Sequence, residues 1–265
     1  MVLSSVLLVI LCLHLAHSRR LTDDIDNTVS TNAAGNLGSL DFRDQRDYVK
    51  ISQTPVPVIS RNVGTHVELY CEAMGSPPPT IQWYKRNMRI TENESFDDSN
   101  LIDGTAGLAK VASRLVINYV LPRHQDIYRC VAEAGSQMAS AITELIVPNK
   151  EGREMNFTQL VASKILGAHH MPRVTFWAPA FMDVIGSDVI LPCKSVGNPK
   201  PNLMWIDPNS KIITDNEKFM VHPDGELRIR SISWNDMGVY NCIVQNSVGE
   251  DSVETFLYPM QESSK

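Results

Sequence analysis

The feature that most constrains this chain is a frame that occurs twice. Cys71 is followed 12 residues later by Trp83, and Cys193 is followed 12 residues later by Trp205. Tyr128 and Tyr240 each stand two positions before a further cysteine, Cys130 and Cys242, and Leu115 and Leu227 each lie 15 positions before it. An internal repeat of about 120 residues with such offsets reads as two copies of one domain. The 265 residues also allow about two domains of ordinary size.

Four cysteines remain once Cys12 is set aside in an N-terminal apolar run, and they allow three connectivities. Spacing alone does not choose among them, but the residues around each cysteine do. Val67-Glu68-Leu69-Tyr70-Cys71 alternates with period two, as a half-buried strand does, and Val189 to Cys193 parallels it. A proline turn follows each: Ser76 to Pro79, and Gly197 to Pro201. Two antiparallel sheets need their inner faces joined and filled. A cysteine on each sheet, a Trp packed on their bond and a buried Tyr whose hydroxyl returns to the chain do this. The expected fold is therefore all-β, two tandem immunoglobulin-like β-sandwiches, with Cys71 bonded to Cys130 and Cys193 to Cys242. Trp83, Tyr128, Trp205 and Tyr240 are the expected core.

Asp236-Met237-Gly238-Val239-Tyr240-Asn241-Cys242 is a full D-x-G-x-Y-x-C and resembles the intermediate set of immunoglobulin domains. The first copy departs from it, with His124 in place of the Asp and Asp126 in place of the Gly. Its stretch from Trp83 to Leu115 is also ten residues longer than that from Trp205 to Leu227, and the excess falls in a polar acidic loop around Thr91 to Gly107.

The remaining segments divide the chain further. Val6 to Leu13 is apolar and Ala16-His17-Ser18 supplies small residues, so residues 1–18 read as a secretory signal peptide, with a short uncleaved anchor as the alternative. Residues 19–47 read as a flexible polar tail. Domain one is expected at 48–148, a linker at 149–171 and domain two at 172–260. Within the linker, Phe157, Leu160, Val161 and Ile165 share one face of a possible short amphipathic helix. No later stretch approaches a membrane span, and the last residues are polar, which argues against a lipid-anchor tail. The expected compartment is extracellular.

Few residues of the chain are arranged for chemistry. Asn93-Glu94-Ser95 and Asn156-Phe157-Thr158 are glycosylation sequons at Asn93 and Asn156. His169-His170, even with His222, lacks the spacing of a zinc site and reads as linker histidines. The four sandwich cysteines leave no thiol nucleophile, and no phosphate-binding loop, G-x-S-x-G or H-E-x-x-H is present. No catalytic residue, metal or cofactor is expected. The net charge of −6 disfavours nucleic acid and anionic membranes as partners. That leaves binding. Phe157, Leu160, Val161 and Ile165 are the expected partner surface, unless that stripe is docked on the domains. Phe176-Trp177, the sandwich loops and the sheet edges are further candidates.

Several stretches carry a closer resemblance. Cys71 to Ser76 with Ile81-Gln82-Trp83, the acidic Phe96 to Asn100, Leu191-Pro192-Cys193, Trp234 to Gly238 and Thr255 to Pro259 resemble one secreted family. It is the two-immunoglobulin-domain family of the insect imaginal morphogenesis (late ecdysone-inducible) insulin-binding protein and the nematode zwei-Ig proteins. The resemblance covers roughly Tyr48 to Pro259. It implies a diffusible binder of insulin-like peptides that dampens insulin receptor signalling. The nematode members imply a second possibility, a secreted ligand of an extracellular neural receptor in adhesion, axon guidance or maintenance of axon position.

Overall fold

The structure is a computed structural model and describes residues 47–91, 107–148 and 169–261. Strands dominate it because short alternating runs are cut by Pro, Gly and Asn turns. In the first domain these are β1 (Tyr48–Gln53), β2 (Val58–Ser60), β3 (Val67–Ser76), β4 (Thr80–Lys85), β5 (Met88–Arg89), β6 (Leu108–Ile117), β7 (Asp126–Ala134) and β8 (Gln137–Ile146). In the second they are β9 (His170–Val184), β10 (Val189–Leu191), β11 (Cys193–Asn198), β12 (Asn202–Ile206), β13 (Phe219–Val221), β14 (Leu227–Ile229), β15 (Gly238–Asn246) and β16 (Gly249–Met260). β9 starts inside the segment read from the sequence as linker, so His170 is a strand residue.

Each domain is a sandwich closed by its disulfide, Cys71–Cys130 and Cys193–Cys242, with Cα atoms 6.5 and 6.6 Å apart. The loops closed span 59 and 49 residues, and restricting the unfolded chain to such loops stabilises by about 4 kcal/mol per bond. Trp83, Tyr128, Trp205 and Tyr240 are all buried. The indoles find partners there: that of Trp83 donates to Ser113 Oγ and that of Trp205 to the Gly225 carbonyl, both at 3.0 Å.

The two sandwiches are not separate. β6 of the first domain pairs antiparallel with β9 of the second, which also pairs antiparallel with β11 and parallel with β16. The result is one sheet in the order β1-β3-β6-β9-β16-β15-β12, with β11 added on β9. β9 serves this role because its centre, Val-Thr-Phe-Trp-Ala from Val174 to Ala178, is mostly apolar and buried at every position, as suits a strand covered on both faces there. Facing this sheet are β2-β8-β7-β4-β5 in the first domain and β10-β14-β13 in the second.

Candidate functional site

A strand shared by two domains places their side chains in common rows. Directly opposite residues in a sheet point to one face. One such row runs Lys50, Met74, Lys110, Ala180, Phe256, Val239 through six strands. It crosses from β1 of the first domain to β15 of the second and spans about 24 Å at the usual strand spacing. Core residues such as Ala73, Ala109, Phe181, Leu257 and Tyr240 occupy the alternate positions. The row therefore lies on the face turned away from both cores.

This open face is apolar on its second-domain side. Phe256 is 43% exposed and Tyr258 39%, with Val239 beside Phe256. Met182 lies opposite Tyr258 on one side and Leu108 on the other. Trp234, from the 3-10 turn Trp234–Asp236, meets the Tyr258 ring edge-on at 6.1 Å between centroids. Exposed aromatic side chains gathered on one sheet face mark an interaction surface more than scattered apolar residues do.

The join between the domains holds this surface in shape. Arg173 Nε donates to Glu68 Oε1 at 2.7 Å, and Arg114 Nη1 donates to Asp251 Oδ2 at 3.0 Å. Asp251 also accepts from the Val174 amide at 2.9 Å. Burial opposes ionisation of Glu68, but hydrogen bonds from His66 and Arg173 outweigh it and hold the carboxyl below its ordinary range. Glu72, buried in the same face, accepts from the Tyr70 hydroxyl and pairs with Lys110, each at 2.5 Å. Phe176 and Trp177, considered from the sequence as a partner surface, are 3% and 6% exposed. Trp177 packs between Tyr70 and Arg114 and covers the domain junction.

The corner of each sandwich explains a departure seen in the sequence. In the second domain the Tyr240 hydroxyl donates to the Asp236 carbonyl, and Asp236 Oδ2 accepts from the Ser233 amide at 2.7 Å. In the first, the Tyr128 hydroxyl donates to the His124 carbonyl at 2.8 Å. There His124 Nδ1 accepts from the Leu121 amide at 3.0 Å. A neutral imidazole thus takes the place of the carboxylate.

Asn93, Asn156, Phe157, Leu160, Val161 and Ile165 lie outside the described residues, as do the signal peptide and the tail before Asp47. Among the described residues no group of three His, Cys, Asp or Glu side chains stands together as a metal site. No helix among them is long and apolar enough to cross a membrane. The face built around Phe256 and Tyr258 was not picked out from the sequence as a surface. A signal was present: Thr255-Phe256-Leu257-Tyr258-Pro259 is apolar at both alternating sets of positions, so one apolar set must face outward.

Fold and face define a tandem immunoglobulin-domain protein whose two domains are fused through one sheet. Residues 50–133 match the immunoglobulin domain family, and residues 181–258 match the immunoglobulin I-set domain. The chain is 30% identical over 217 residues to the neural/ectodermal development factor IMP-L2 of Drosophila melanogaster, covering 82% of this chain and 78% of that one. It is 30% identical over 207 residues to zwei Ig domain protein zig-4 of Caenorhabditis elegans, covering 76% of each. The crystal structure of neural ectodermal development factor IMP-L2 superposes with a TM-score of 0.66 at 28% identity, covering 82% of this chain and 97% of that one. The chain belongs to the family of IMP-L2 and the zwei Ig domain proteins.

Proposed function

We propose that this chain is a secreted binding protein that sequesters insulin-like peptides and so antagonises insulin receptor signalling. The contact surface in this reading is the open face of the shared sheet. The observation that carries it is the pair of rows Ala180-Phe256-Val239 and Met182-Tyr258, apolar side chains laid across strands of a sheet that both domains build. Insulin-like hormones present apolar receptor-binding faces, and an exposed aromatic patch on a rigid sheet is a suitable counterpart. The resemblance in the acidic stretch and the Phe256-Leu257-Tyr258-Pro259 ending points to the same ligand class. The test is receptor phosphorylation in insulin-responsive cells given a fixed dose of an insulin-like peptide from the same species. Added protein should lower phosphorylation in proportion to its molar ratio to hormone. Unchanged phosphorylation at a large molar excess would reject sequestration.

One observation favours a second reading, in which the chain is a ligand for an extracellular neural receptor. A relative at 30% identity is named a neural/ectodermal development factor. Expression separates the two readings, since endocrine or fat tissue fits the first and neurons alone fit the second.

A further inference from the structure

The first domain carries a second open face, on β2-β8-β7-β4-β5, remote in the fold from the rows just described. Its centre is an alternating block of four residues. Ile127 of β7 stands opposite Glu144 of β8, and Arg129 stands opposite Ile142. All four point outward, because the intervening Tyr128, Cys130, Thr143 and Leu145 are buried. Ile127 is 52% exposed and Ile142 61%. The two isoleucines lie on one diagonal of the block, and Arg129 and Glu144 lie on the other.

That pattern is self-complementary. A two-fold axis lying in the plane of the interface, along the isoleucine diagonal, stacks each isoleucine on its own copy. The same rotation carries Arg129 across the axis and sets it against Glu144 of the second copy. A symmetric interface requires this, that residue i meets j while j meets i. We propose that this chain forms a two-fold dimer through β7 and β8, with Ile127 and Ile142 on the axis and Arg129 of each copy paired with Glu144 of the other. Val58, opposite Glu144 in parallel register, and Tyr84, opposite Arg129, extend the contact on either side.

The size of the face sets the strength. Strands of three, ten, nine, six and two residues offer about 500 Å², below the roughly 800 Å² per partner of a standard interface. With four charges at its centre, the dimer is expected to be weak and concentration-dependent.

Sedimentation of the mature chain over about 1 to 200 µM tests this. The wild type should pass from monomer to dimer. Arg129→Glu places like charges across the axis, and so does Glu144→Arg, so each alone should lose about tenfold or more in association. An equimolar mixture of the two variants should recover dimer, because every cross-axis pair in the heterodimer is then opposite in sign. Recovery also shows that both variants are folded. A wild type that stays monomeric throughout would overturn the proposal. So would single variants that dimerise like the wild type, or a mixture that fails to recover.

Discussion

The guanidinium of Arg114 lies 4.6 Å from the ring centroid of Trp177, with Arg114 on the first domain and Trp177 on the second. Arg114 also donates to Asp251, and Asp251 accepts from the backbone of β9. One cation therefore ties β6, β9 and β16 together at a half-buried site. There a charge-assisted hydrogen bond outweighs an exposed ion pair. The domains are joined by side chains as well as by the sheet ladder, so relative motion of the domains should be small.

Arg114→Ala and Asp251→Ala should each destabilise the protein by about 2 kcal/mol, and the double variant should lose less than the sum by about 1 kcal/mol. Arg114→Lys should recover part of the loss, since it keeps the charge but not the planar stacking on Trp177. Denaturant unfolding of these variants beside the wild type measures the cycle. Strict additivity would mean that the pair does not couple the domains.

The first domain's corner should be acid-sensitive through His124. Burial, and then the cations of Arg123 and Lys85, hold its imidazole below its ordinary pKa. The neutral ring is the form that accepts the Leu121 amide. The unfolded chain therefore takes up a proton at higher pH than the folded one. Stability is full above about pH 6.5, begins to fall as pH drops through that value, and stops falling below the folded pKa. His124→Asp restores the carboxylate found at Asp236 and should lose less stability between about pH 7 and pH 5. Thermal midpoints of both proteins across that range decide it, and parallel curves would refute the role of the ring.

Two glycines at positive φ should differ in their tolerance. A Cβ at Gly225, φ 104°, would collide with the Cys193 carbonyl oxygen, and Gly225 also accepts the Trp205 indole. Gly186, φ 93°, has nothing within 4 Å of that position. Gly186→Ala should cost about 1 kcal/mol for the backbone alone, and Gly225→Ala upwards of about 3 kcal/mol because a backbone atom must move. Equal losses in urea unfolding would contradict this account of the Asp224-Gly225 turn.

The sandwiches were legible in the sequence because their determinants are local: Cys71 and Trp83 keep a fixed offset on successive strands, and Tyr240 and Cys242 share β15. The corner at His124 was not legible, because the part it shares with the second domain is a backbone carbonyl, which any residue supplies. The fusion of the domains was the largest feature beyond reach. It rests on Lys110 opposite Ala180 and Ala112 opposite Trp177, pairs about 70 residues apart, and no local pattern names a strand's partner. The apolar run of β9 hinted at a strand covered on both faces. The row that crosses both domains followed from that fusion, whereas the outward turn of Phe256 and Tyr258 on β16 belongs to the second domain alone.

The most direct test of hormone binding by the open face is a calorimetric titration of an insulin-like peptide from the same species into the mature protein and its Phe256→Glu/Tyr258→Glu variant. Both side chains are exposed, so the variant should fold. The wild type should bind with a Kd from about nanomolar to low micromolar, and the variant about tenfold or more weaker. Equal affinity in the two proteins would contradict the assignment of the face, and no binding of any such peptide by the wild type would contradict the hormone reading itself.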